Sequence, residues 1–237
     1  MIEINLIDVS GFKGAIRGMR HPYESYEKSD SHVEYPNPDC FENCACCECV
    51  DGERKFVIGP NDMELCKKLI KAGSDHRKFL RMIHVQMDVR APRYWWPQMD
   101  QYKIGTTTNS QSTMHTIHKE YFMQSDFSME HMLPIDVNMF LLNLNTARDK
   151  YLETKKKKDW YSLIEMLPQS YMQTRTVDIN YETLLRIAVS RRGHKLKEWT
   201  DFIEWMKKEL PYFEEFLDAI SPRKDKEAPN DSRRTGN

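Results

Sequence analysis

The chain has 237 residues, of which 30% are charged, and a formal net charge of -1. That balance excludes a global attraction to polymeric nucleic acid, although a few local cations suffice for a small anionic ligand. No run of about 18 apolar residues occurs, so no membrane-spanning helix is expected. The first residues lack the basic and apolar stretches of a signal peptide, which points to the cytoplasm and to six cysteines kept as thiols.

Ile2 to Val9 is rich in β-branched residues and predicts a strand, followed by turn-like Ser10-Gly11 and Lys13-Gly14. Tyr23 to Asp51 is polar and irregular, and the stretch near 30–52 reads as an inserted loop. Lys55 to Ile58 predicts a short strand. Asn61, with Glu64 three residues on, predicts a capping box opening a helix that Gly73 stops. Ile83, Val85, Met87 and Val89 alternate with polar residues, the pattern of a half-buried strand. Pro92 opens a short aromatic helix, and 105–113 reads as a hydroxyl-rich loop.

Five helices are expected beyond it. Ile135 to Leu152 is a long one with Met139, Phe140, Leu144 and Tyr151 near one stripe, and the basic run Lys155 to Lys158 connects it to a helix through Trp160 and Leu163 that ends before Pro168. Asn180 caps a helix holding Leu184, Leu185 and Ile187. After Gly193 a helix carries Trp199, Phe202 and Met206, and Pro211 leads into a last one with Phe213 and Phe216. Residues 221–237 read as a disordered tail behind one domain, 1–220. The fold class expected is α/β of the α+β kind: a small mixed or antiparallel sheet flanked by a majority of helices.

Several stretches carry possible chemistry, each beside a plainer reading. Val89 to Gln98 runs from a strand into a Pro-started helix, a place where backbone N–H groups hold phosphate; aromatics at that spacing also make a core helix. Thr106 to Thr113 offers small donors and acceptors that wrap a nucleotide or simply meet water, with Lys103 just before it. Arg186, Arg191, Arg192, His194 and Lys195 gather at a helix C-terminus, where the macrodipole favours cations with or without an anion. Cys40, Cys44, Cys46, Cys47 and Cys49 lie close together, but no second C-x-x-C pair stands at a distance, so no metal is assigned. No P-loop, G-x-S-x-G or G-x-G-x-x-G occurs.

From about Asp62 to Leu217 the sequence resembles the flavin-dependent thymidylate synthases. Leu167-Pro168, Asn180, Arg191 and His194 follow the family's order of Leu-Pro, strand, Asn opening a helix, Arg eleven residues later and a nearby His. Val89-Arg90-Ala91-Pro92 is similar to the strand end before the family's Arg-His-Arg signature, and Gln98 falls on a family Gln. Gln101-Tyr102-Lys103 stands where Arg-His-Arg belongs. Ser112 takes the signature Ser position, Ser110 replaces a Glu, Met114 replaces an Arg, and Arg81-Met82 replaces a Glu-His pair. Lysine is a point charge where arginine offers a planar fork, so these replacements weaken anion recognition.

The resemblance implies an FAD-dependent methyltransferase that makes dTMP from dUMP with methylenetetrahydrofolate, the flavin being reduced by NADPH. It implies catalytic roles for Arg191 and Ser112, dUMP contacts from Gln98, Ser112 and Arg191, and flavin contacts from Lys103, Asn180 and His194. It also implies a homotetramer with active sites where subunits meet. The altered signature leaves a second class open: a nucleotide- or flavin-binding protein without synthase activity, or another pyrimidine-modifying enzyme on the same fold.

Overall fold

The computed structural model describes residues 2–34 and 55–221. The cysteine cluster at 40–49 and the tail expected from 222 onward lie outside the described residues.

The alternation in the middle of the chain forms the centre of the molecule. Strand β4 (His84–Pro92) buries Val85, Met87 and Val89 completely and turns His84, Gln86, Asp88 and Arg90 to the other face. It pairs antiparallel with β1 (Glu3–Ser10) on one side and β6 (Met172–Asn180) on the other. Strand β5 (Thr106–Ser110) then pairs antiparallel with β6, giving the order β1-β4-β6-β5. The second face is a polar lattice: Gln86 donates to Asp178 at 3.0 Å, His84 lies 2.8 Å from the same carboxylate, and Thr176 donates to Asp88 at 2.6 Å.

Helices cover the apolar face. They are α1 (Phe12–Arg20), α2 (Pro60–Lys71), α7 (Tyr181–Ser190), α8 (Lys197–Glu209) and α9 (Phe213–Ile220). Ile16, Ile70, Leu184, Leu185, Phe202 and Phe216 join the buried strand residues in one core. Burying each such side chain is worth roughly 1.5–3 kcal/mol. The pair β2 (His32–Glu34) and β3 (Lys55–Val57) forms a small second sheet. The hydroxyl of Tyr212 anchors it, accepting from Ile58 N at 3.0 Å and donating to Phe56 O at 3.3 Å.

A smaller core gathers α5 (Pro134–Thr154), α6 (Lys157–Glu165) and the chain from Ile117 to Met129. Buried Asn145 fastens that chain to α5, accepting from Phe122 N at 2.9 Å and donating to Phe122 O at 3.0 Å. No helix among the described residues is long and apolar enough to cross a membrane.

Four local readings are corrected. Residues 106–110 are an edge strand, because β6 supplies the pairing that their own composition does not advertise. Lys13-Gly14 lies inside α1, which starts at Phe12 just after Gly11, and the buried Phe12, Ala15, Ile16 and Met19 outweigh its glycines. Helix α2 begins at Pro60, and Asn61 does not cap it: Asp30 accepts from Asn61 N at 2.9 Å and Asp62 N at 3.1 Å. Met139 faces solvent, and α5 packs through Val137 and Leu144.

Candidate functional site

Two elements end at the same place. Strand β4 runs into a turn in which Trp95 N donates to Pro92 O, and α3 (Trp96–Met99) follows with a proline in its first turn. The aromatics here are core: Trp95 and Trp96 are buried, and Trp96 Nε1 donates to Ala91 O and Gln173 O. That packing leaves Gln98 half-buried at the edge of the core. Tyr94 ties the turn to the start of α8 through Glu198 and to Ser128 at 3.1 Å. Burial, reinforced by Glu198, pushes the Tyr94 hydroxyl up to about 12, so it stays protonated at neutral pH.

Helix α7 spans the rest of the site. Asn180 caps its start, Oδ1 accepting from Thr183 N at 2.9 Å. Arg191 closes its end, its N–H donating to Ile187 O at 2.9 Å. Eleven residues are close to three turns, so Asn180 and Arg191 share one side of α7 and lie on the order of 16 Å apart along its axis.

The segment 102–105 runs beside that side of the helix. Tyr102 meets Ser190 at 2.8 Å near one end. Near the other, Ile104 O accepts from Thr183 Oγ1 at 2.8 Å and Gly105 O accepts from Asn180 N at 3.0 Å. Gly105 has φ +68, and a Cβ there would collide with the Asn180 amide.

The guanidinium of Arg191 is the centre of the cluster. Nε donates to Tyr102 Oη at 3.0 Å and Nη1 to Gln98 Oε1 at 3.1 Å. The group lies 4.7 Å from the Trp199 ring centroid and 5.6 Å from that of Tyr102. Such contacts hold a cation in place without neutralising it. Nη2 has no partner among the described residues. A groove of about 430 Å³ adjoins, lined by Arg77, Tyr102, Arg186, Val189, Ser190 and Ile220. Arg77 is held by Glu182 at 3.0 Å, whereas Arg186 is exposed.

The sequence-derived residues divide. Gln98 and Arg191 touch each other. His194 lies beside them, its ring centroid 6.3 Å from that of Trp199, with Nδ1 accepting from Leu196 N at 3.1 Å. Lys103 is exposed on the segment along α7, and Asn180 is the cap at the far end. Ser112 opens α4 (Thr113–Thr116), beyond β5, and no recorded contact joins it to the Arg191 cluster.

Tyr102, Trp199 and Arg77 belong to the site without having been singled out for it. Tyr102 occupies a signature position, and its hydroxyl was the available signal. The other two come from α8 and from the turn before the 3-10 helix Lys78–Met82, and local spacing does not connect them to α7. Arg90 and Arg175 are engaged elsewhere, with Glu3 at 2.7 Å and Asp100 at 2.8 Å. Among the described residues, no group of three or more His, Cys, Asp or Glu is arranged to hold a metal ion.

No family model matches the chain, and no curated protein sequence matches it. Solved structures do. Thymidylate synthase X (ThyX) from Helicobacter pylori, with FAD and dUMP, is 18% identical with a TM-score of 0.66, the match covering 93% of this chain and 100% of that one. A second structure of the flavin-dependent thymidylate synthase ThyX from the same organism, also with FAD and dUMP, is 18% identical with a TM-score of 0.65, over 91% of this chain and 97% of that one. At that identity the likeness establishes a ThyX-like fold: an antiparallel four-stranded sheet covered by helices.

Proposed function

We propose that the chain is a flavin- and nucleotide-binding enzyme of the thymidylate synthase type, acting on dUMP with FAD, NADPH and methylenetetrahydrofolate. The observation that carries this reading is the Arg191 cluster. Two of the three positions for which the sequence resemblance implies a dUMP contact, Gln98 and Arg191, are hydrogen-bonded to each other at 3.1 Å. The free edge of the guanidinium suits a nucleotide anion and favours negative charge developing on a pyrimidine.

The groove beside the cluster fits part of FAD. Arg77 and Arg186 match its phosphates, while the Tyr102 ring, Val189 and Ile220 supply apolar wall. Bound flavin supplies the hydride chemistry, and the chain supplies orientation and charge. Lys103 lies on the same wall and adds a positive charge. His194 accepts from Leu196 N at Nδ1, which leaves Nε2 as the ring nitrogen for a flavin contact. Asn180 has Oδ1 committed to its helix, so any flavin contact falls to its Nδ2.

No contact among the described residues joins Ser112 to Arg191, and its dUMP role rests on the homotetramer that the resemblance implies, with sites formed between subunits. A stripe on α5 offers one surface for such assembly: Ile135, Met139 and Leu142 are 64%, 52% and 57% exposed at helical spacing.

One observation favours the non-synthase reading. Gln101, Lys103 and Met114 are all exposed and bring no guanidinium to the signature segment. A visible spectrum with a titration separates the two. The purified protein should show a flavin band, or gain one with added FAD, and should then bind dUMP. Arg191→Ala should weaken dUMP binding by about tenfold to a hundredfold, the scale of a lost charge-assisted hydrogen bond. A colourless protein that takes up no FAD overturns the flavin reading. Binding without rescue of a thymidine-requiring host leaves the non-synthase reading standing.

A further inference from the structure

A carboxamide fits its density of neighbours in two orientations, one the flip of the other, and its partners decide between them. Gln98 Oε1 accepts from Arg191 Nη1 at 3.1 Å and from Trp199 Nε1 at 2.9 Å. Neither a guanidinium nor an indole N–H can accept a hydrogen bond. Flipping Gln98 would set its amino group against two donors. One orientation is therefore enforced, and it leaves Nε2 with no protein partner among the described residues.

The neighbouring tryptophan shows that this is more than packing. Trp95 lies 4.7 Å from Trp199 between ring centroids, and both are fully buried. Trp95 Nε1 has no partner among the described residues. Of the three indoles in this cluster, Trp96 donates to backbone carbonyls, Trp95 to nothing among the described residues, and Trp199 alone to a side chain of the candidate site. The Trp199 ring also backs the Arg191 guanidinium at 4.7 Å. One residue thus holds both groups that face the ligand.

We propose that Trp199 is a positioning residue that locks Gln98 so that it meets the ligand only as an N–H donor, and the site selects an acceptor oxygen at that point. This rests on the nucleotide reading above. The acceptor is a carbonyl of the base or an oxygen of the phosphate, two sources with the same hydrogen-bonding chemistry.

The test compares three variants of the FAD-treated protein, titrated with dUMP, dCMP and deoxyuridine. Trp199→Phe keeps an aromatic ring and removes the indole N–H. It should lower dUMP affinity about tenfold, equivalent to about 1.4 kcal/mol. Trp95→Phe removes an equal volume from the same cluster and should leave affinity unchanged. Gln98→Glu keeps an acceptor for both internal donors but turns an oxygen toward the ligand, and should lower affinity by tenfold or more while the protein stays folded. A loss on dUMP not seen with dCMP identifies the C4 carbonyl of the base, and an equal loss with all three ligands identifies the C2 carbonyl, which uracil and cytosine share. An equal loss with both nucleotides that vanishes with deoxyuridine identifies the phosphate. Each of these three patterns supports a donor-only Gln98. Equal behaviour of the two tryptophan variants, or full affinity in Gln98→Glu, overturns it.

A ligand-free measurement keeps the lock separate from the nucleotide reading. The indole N–H resonance lost in Trp199→Phe should move in Gln98→Ala, while that of Trp95 stays. An unmoved Trp199 resonance overturns the lock even if dUMP binds. Failure of the wild-type protein to bind any of the three ligands, with the resonance moving as expected, overturns the nucleotide reading and the ligand selection while leaving the internal lock in place.

Discussion

Gly105 controls how closely the site wall approaches α7. Its positive φ turns the chain from the segment beside Arg191 into β5, and its missing side chain lets the Asn180 amide lie against the backbone. Gly105→Ala should destabilise the protein by roughly 1–3 kcal/mol, because left-handed strain and a steric collision act together. Urea unfolding measures it, and a midpoint equal to wild type would show that the segment moves aside at no cost. At this scale the sequence was partly legible. Gln98 and Arg191 were identifiable through their resemblance to a family pattern. Asn180 was readable as a cap from its place before an apolar helix. Trp199 was readable only as core, since nothing local reveals that its indole N–H points out of the core at Gln98.

At the scale of elements, the entry to α2 shows long-range contacts replacing a local signal. Asp30 takes the acceptor role that the spacing of Asn61 and Glu64 suggested, and Asp62 turns inward to Arg20 at 2.7 Å, with Ser29 and Ser31 donating to its other oxygen at 2.6 Å. Asp62 is completely buried. Burial alone would push its carboxyl up, but Ser29, Ser31 and Arg20 outweigh it and hold the group below its ordinary 3.8. The lowered folded-state value fixes the sign. Asp62 contributes stability fully above the unfolded value, and that contribution disappears as pH falls through the folded one. Asp62→Ala leaves Arg20 buried and unpaired, and should cost roughly 3–5 kcal/mol. Thermal melts at neutral pH and below pH 3.8 check both points. The difference between variant and wild type should shrink in acid, and a constant difference would remove Asp62 from the account. The edge strand β5 illustrates the opposite limit of legibility. Thr, Asn and Ser fit a strand or a loop equally well, and only β6 decides.

For the whole molecule, the half with strict alternation and apolar helices was readable as a small mixed or antiparallel sheet under helices, and the strand pairing makes it antiparallel throughout. The placement of α5 was less so, because it is apolar on two sides. One side builds the smaller core and the other carries Ile135, Met139 and Leu142. If four copies assemble over that stripe, light scattering should report a tetramer, and Leu142→Lys should shift it to smaller species. A wild-type monomer at micromolar concentration would remove the between-subunit site and, with it, the role of Ser112.

The sheet stops at β5, and nothing in Thr106-Thr107-Thr108-Asn109-Ser110 bears a charge or a ring to close the border. Many proteins fence such a margin with lysine or proline. Here brevity is the fence: five residues leave too short a ladder to recruit a stranger by backbone alone. Extending this strand, or making it greasier, would convert a frontier into a nucleus for fibrous growth.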